Sequence, residues 1–153
     1  HKTALCISDN DIGVDLERYK GFADGFAPGN SKLQIIPMPK DKRHQFYLQN
    51  LPLSKSVTAI FAVSDYYAID LMSFLSEQGI DVPQDISVVG FDDIPMCRYT
   101  LPPLSTIRQD RSDIGKSAFF ALLNHLNDVH VSALLLHPEL IERASCASVT
   151  EKK

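Results

Sequence analysis

The chain has 153 residues, 44% hydrophobic and 22% charged, with a net charge of −4. These are the size and composition of one soluble globular domain, and the acidic balance gives no general attraction to phosphate backbones or anionic lipid. No apolar run approaches the ~20 residues of a membrane span, and Cys6, Cys97 and Cys146, odd in number and far apart, suit neither a disulfide framework nor a zinc cluster, so a reducing compartment is expected.

TALCI (Thr3–Ile7) reads as a short apolar strand, followed by the polar loop SDND. Asp15 then offers an N-cap to the helix DLERYKGFADGF. LQIIPM (Leu33–Met38) is a second strand, with a weaker helix across Gln45–Leu51. TAIFAV (Thr58–Val63) is a third, and Ser64 or Asp65 caps a firm helix from Tyr66 to Gln78 that stops at Gly79. ISVVGF (Ile86–Phe91) is the fourth. These strands are continuously apolar, as in sheets buried on both faces, and helix-length segments separate them. The expected fold class is α/β: a three-layer sandwich with a mainly parallel sheet flanked by helices.

After Phe91 the pattern changes. DDIPMCRYTLPPL is proline-rich, and Pro102-Pro103 reads as extended loop. A short strand at Ser105–Arg108 precedes a helix capped by Asp110 or Ser112, with Ile114, Ala118, Ala121 and Leu122 on one stripe. VSALLL (Val131–Leu136) and ELIER (Glu139–Arg143) read as two last strands, and residues 148–153 as a frayed, disordered tail.

In open parallel sheets, ligands sit outside the carboxyl ends of the strands. That rule selects Asp9, Asn10 and Asp11 after the first strand, Ser64-Asp65 after the third and Asp92-Asp93 after the fourth. Adjacent carboxylates rarely both enter one pocket, so Asp92 is expected to face a cleft and Asp93 to hold backbone N–H groups of the loop. On pattern alone each residue also has an ordinary reading. Asp is a favoured turn residue, Arg18 reads as a surface cation, Ser64 as a cap, and Tyr66 and Tyr67 equally as packing or stacking. The five histidines show no metal-like spacing. With no nucleophile elbow, P-loop or GxGxxG, enzymatic chemistry is unsupported, and neither a cofactor nor a metal is expected.

The order of the pieces is more specific. TAIFAVSDYYAIDLMSFLSEQGIDVPQDISVVGFDDIPMCRYTLPPLSTIRQD closely resembles the effector-binding domain of the LacI/GalR family of bacterial transcription regulators, and HKTALCI and RYKGF fit the family's upstream motifs. The resemblance covers nearly the whole chain. It implies that Arg18 and Asp92 hydrogen-bond a small-molecule effector such as a sugar in an interlobe cleft, with Ser64 and Gln109 beside it. Ser64 stands where the family usually has Asn, and Pro37–His44 lacks the aromatic that often stacks on the ligand; both departures favour an effector other than a plain monosaccharide.

The resemblance also implies a division of the chain. Residues 1–109 form the C-terminal lobe, 110–130 a crossover helix that in the family belongs to the N-terminal lobe, and 131–147 return strands. A helix-turn-helix segment and an N-terminal lobe precede this region in the family, and a chain that opens HKTALCIS reads as a piece of something longer. Operator DNA would be reached only through that absent segment. Without its lobe, the helix of Ile114–Leu126 is expected to repack, to swap with another copy or to be partly mobile. On the Tyr66–Gln78 helix the apolar arc spans about 160°, wider than the ~100° needed to cover one sheet. The family dimerises through this helix and the loop before Pro102, so the resemblance implies Leu71, Phe74, Cys97 and Tyr99 as the homodimer contacts, symmetric about a twofold. The expected protein is a cytoplasmic regulator, most simply a repressor, with no membrane partner. Rival readings are a periplasmic-type sugar-binding protein and a regulator controlled by a protein partner.

Overall fold

Strands buried on both faces need helices above and below them, and the chain supplies these by alternation. The computed structural model describes residues 4–8, 13–26, 35–37, 43–51 and 57–148. In chain order the elements are β1 (Ala4–Ser8), α1 (Gly13–Phe26), β2 (Ile35–Pro37), α2 (Arg43–Asn50), β3 (Ala59–Ala62), α3 (Asp65–Glu77), β4 (Ser87–Phe91), a 3-10 turn (Pro95–Arg98), β5 (Ser105–Arg108), α4 (Arg111–Leu126) and β6 (Glu139–Ile141). The sheet order is β2-β1-β3-β4-β5-β6. The first five strands are parallel and β6 joins the edge of β5 antiparallel. The sheet is therefore mainly parallel, as the continuous apolar runs predict.

Alternation along the strands sorts the two faces. Leu5, Ile7, Ile60, Ala62 and Val88 join the buried cluster with Leu71, Phe74 and Leu75 of α3 and Tyr47 of α2. Phe61, on the opposite face of β3, stacks on Phe22 of α1 with ring centroids 5.1 Å apart. Register aligns Cys6 with Phe61, Phe61 with Val89 and Phe91 with Ile107. The carboxyl ends of β1, β3, β4 and β5 thus share one rim.

The structure corrects several expectations. Leu71, Phe74 and Cys97 are not surface residues: they are 0%, 1% and 0% exposed. The wide apolar arc of α3 is consumed within the chain, because the sheet, Tyr47 of α2 and the 3-10 turn carrying Cys97 all pack into one core with it. Of the four expected dimer contacts Tyr99 alone is exposed, at 77%. Val131–Leu136 is irregular and exposed. A strand needs a ladder partner, and the edge of β5 is already taken by β6. Asp15 lies inside α1, two residues after its start, and accepts a hydrogen bond from the Ser8 hydroxyl at 3.0 Å. The rim candidates Asp9, Asn10 and Asp11, the segment 38–42 and the tail 149–153 lie outside the described residues.

Helix α4 is N-capped by Asp110, which accepts from the N–H groups of Ser112 and Asp113. No residue of α4 is buried, and Phe119, Phe120, Leu122 and Leu126 are all more than half exposed. The chain returns at β6, and Ser145 is buried between β4 and β5, donating to the Val88 carbonyl at 2.6 Å. No described helix is long and apolar enough to cross a membrane.

Asp65 fastens α3 to β5 and the loop after β4. Fully buried, it accepts from the Thr106 hydroxyl at 2.5 Å and from the Ile94 N–H at 2.9 Å. The fit requires a glycine opposite. A Cβ on Gly90 would overlap Asp65 Oδ1 and lie 3.3 Å from the Asp65 Cα, and the carboxylate cannot retreat without stranding both donors. Gly90→Ala is expected to lower stability by ~1–3 kcal/mol, read as a fall in the urea midpoint; an unchanged midpoint would show that the packing at Gly90 is looser than described.

Candidate functional site

Arg18, midway along α1, reaches over the rim where β3 and β4 end. Its Nη1 donates to the Val63 carbonyl at 2.7 Å and its Nη2 to Asp92 Oδ1 at 2.9 Å. The guanidinium lies 4.0 Å from the centre of the Phe91 ring, a desolvated cation–π geometry. Phe91 in turn meets Phe61 edge to face at 6.5 Å. Arg18 Nε is buried and has no hydrogen-bond partner among the described residues. The side chains of Arg18 and Asp92 are 14% and 31% exposed, so the pair is partly open to solvent.

The turn that carries Asp92 is unusual. Asp92 and Asp93 both have positive φ, at 113° and 48°, a region that non-glycine residues occupy only when their surroundings hold them there, at ~1–3 kcal/mol each. The shortest of the contacts on the turn's backbone N–H and on Asp93 are three. Asp92 N–H donates to the Ile107 carbonyl at 2.8 Å. Asp93 accepts from Arg143 Nη2 at 2.6 Å on one oxygen and from Arg108 Nε at 2.7 Å on the other. The expectation that Asp93 holds backbone N–H groups is thus corrected: arginines 15 and 50 residues downstream occupy both its oxygens.

The two neighbouring acids are tuned in opposite directions. Burial pushes the Asp92 carboxyl up, the charge of Arg18 opposes this, and the nearby Asp65 adds to the rise. Burial alone would also raise Asp93, but the hydrogen bonds from Arg143 and Arg108 outweigh it and hold the carboxyl below its ordinary value. Asp92 is therefore the more easily protonated of the two acids, and Asp93 the one that keeps its charge to lower pH. Because its folded pKa is depressed, Asp93 contributes stability that is present above its unfolded value of about 3.9 and lost as pH falls through the folded value.

Of the sequence-predicted site residues, Arg18 and Asp92 are in direct contact. Ser64 adjoins the carbonyl that Arg18 binds, and its hydroxyl oxygen caps α3 by accepting from Tyr66 N–H at 3.4 Å. Gln109 follows β5 directly, half-buried at the same end of the sheet. Phe91, the Val63 carbonyl, Arg108 and Arg143 were not singled out by sequence reasoning. Phe91 had a signal, being the last apolar residue before the acids; the arginines had none, since their contacts cross strands. Among the described residues no three His, Cys, Asp or Glu side chains are placed to hold a metal ion. The Cys6 and Cys97 thiols are pushed up to about 12 by burial, which leaves them unreactive at neutral pH.

The Arg18–Asp92 pair lies at the carboxyl rim of an open, mainly parallel sheet, the place where sheets of this kind receive ligands. Residues 1–146 match the model of the periplasmic binding protein-like domain. The chain belongs to that family, as an effector-binding domain of the LacI/GalR type. It is 37% identical to the HTH-type transcriptional repressor PurR of Vibrio cholerae, an alignment covering 99% of this chain and 47% of that protein. It is 40% identical over 99 residues to the HTH-type transcriptional repressor CytR of Escherichia coli, 63% of this chain and 29% of that one. Among solved structures, a LacI family transcriptional regulator from Enterococcus faecalis with bound ribose superposes with a TM-score of 0.83 at 28% identity, covering 98% of this chain and 56% of that one. The chain spans about half the length of the relatives it matches.

The tuning of the two acids is directly measurable. In a carboxyl-carbon NMR titration, Asp92 is expected to protonate at higher pH than Asp93; the reverse order would contradict the roles assigned to them.

Proposed function

We propose that this chain is the lobe of a transcriptional regulator that senses a small-molecule effector, with Arg18 and Asp92 as the polar groups that grip it. The observation that carries this reading is the Arg18–Asp92 pair at the carboxyl rim of the sheet, partly open to solvent and backed by the Phe91 ring. A guanidinium beside a carboxylate offers donors and acceptors together, which suits hydroxyl and carbonyl groups of a sugar or related metabolite. The ribose held by the Enterococcus relative supports that class. Ser64 and Gln109 border the same rim and are the proposed secondary contacts.

In a protein of the relatives' length, a second lobe would form the other wall of the cleft and cover the exposed apolar residues of α4. Effector binding would then shift the population of lobe arrangements and, through a helix-turn-helix segment, the affinity for operator DNA, by a coupling of typically ~1–3 kcal/mol. The repressor names of the PurR and CytR relatives support repression as the output. A cytoplasmic, non-enzymatic protein follows from that role. A regulator controlled by a protein partner is the second reading, favoured by the use of the Ser64 hydroxyl as a cap.

A homodimer belongs to the proposal, with its contacts revised. The outer side of α3 and the 3-10 turn border a groove of about 630 Å³ that includes Tyr66, Ile69, Ile94, Pro95 and Met96, and Tyr99 and Leu101 stand exposed nearby in sequence. These residues supply the surface that Leu71, Phe74 and Cys97 cannot.

Calorimetry of the full-length protein against sugars, nucleosides and phosphosugars tests the reading. One class is expected to bind, and Asp92→Ala to weaken it by roughly 10- to 100-fold, the loss of one charged hydrogen bond. No heat from any class would shift the weight to a protein partner. For the dimer, Ile69→Glu is expected to turn a sedimenting dimer into a monomer; a parent protein already monomeric at high micromolar concentration would remove that part of the proposal.

A further inference from the structure

Asp93 is more than an anchor for its own turn. Three arginines from three separate segments converge on it: Arg108 at the end of β5, Arg111 in the first turn of α4 and Arg143 just after β6. Arg111 Nη2 donates to the Asp93 carbonyl at 3.1 Å. Arg108 Nη1 reaches across to Glu139 of β6 at 3.4 Å. Arg143 Nη1 also holds the Leu104 carbonyl at 2.7 Å. Residues 109–138 leave the sheet after β5 and return at β6, and no residue of α4 within that excursion is buried. Both the departure and the return are therefore fastened to the residue that follows Asp92.

From this convergence we infer that Asp93 is a positioning residue that couples the Asp92 turn to the direction in which residues 109–138 leave and rejoin the sheet. The backbone carries the coupling. Asp92 and Asp93 share one peptide unit and adjacent left-handed conformations, so a movement of Asp92 must rotate the carboxylate that the arginines grip. A carboxylate with both oxygens engaged by guanidinium groups resists such rotation and passes it on. The functional meaning of the coupling rests on the reading of Asp92 as an effector contact, but its existence does not.

The test is a spin-label distance measurement on the full chain without effector, so its outcome is independent of that reading. Labels at Gln84→Cys and Asn124→Cys, both exposed, in a Cys146→Ser background would report α4 against the sheet; Cys6 and Cys97 are buried and resist labelling. Asn tolerates the left-handed conformation as Asp does, so Asp93→Asn removes charge without changing backbone preference. The expected result is a distance distribution broadened by Asp93→Asn, and altered by Asp92→Asn only where Asp93 is kept, at the same folded fraction by circular dichroism. A distribution unchanged by either single substitution, or an Asp92→Asn effect that persists in full in the Asp93→Asn background, would overturn the inference. Should Asp93→Asn fail to fold, Arg111→Gln decides, since Arg111 is exposed: broadening supports the coupling and an unchanged distribution overturns it.

Discussion

The turn leaving β4 is the constraint on which the rim depends. Two successive acids sit at positive φ, a conformation that would relax if Asp93 lost its arginines or if Asp92 N–H lost the Ile107 carbonyl. Held as it is, the turn aims one carboxylate at Arg18 and the next into the lobe. One short run of sequence thereby supplies both the acid proposed for recognition and the acid that anchors the turn, and their acidities are displaced in opposite directions.

The same economy appears one strand away. Asp65 begins α3 where a carboxylate favours the helix N-terminus, and its two oxygens tie that helix to β5 and to the loop after β4. Gly90 makes room for it. Ser64, Asp65, Asp92 and Asp93 therefore form one continuous rim in which helix capping, buried hydrogen bonds and the proposed ligand contact draw on a few polar atoms. Arg18 closes it from the other layer, its stem carried by α1 and its head resting on Phe91.

Much of the fold was legible because continuous apolar strands and capped helices are local signals; β1, β3, β4 and α3 follow directly from them. What was not legible depends on partners. The apolar run Val131–Leu136 looks like a strand, yet β6 already occupies the edge it would need. The wide arc of α3 looks like an interface, yet Tyr47 and Cys97 cover it within the chain. The contact of Arg18 with Asp92 spans 74 residues and came into view only through the order of the family's motifs. The grip of Arg143 on Asp93, across 50 residues, was marked by neither pattern nor motif. The exposed side of α4 is the converse case, an amphipathic helix whose stripe meets no core among the described residues.

The Arg18–Asp92 pair is the proposed point at which the lobe recognises its ligand. The most direct measurement is NMR of the Arg18 Nε–H and the Asp92 carboxyl during titration with the first sugar, nucleoside or phosphosugar found to bind. Both signals are expected to shift in saturable fashion while the Asp93 carboxyl stays near its position. Saturable binding that leaves Arg18 and Asp92 unmoved and shifts residues along the groove between α3 and Met96 instead would contradict that role for the pair.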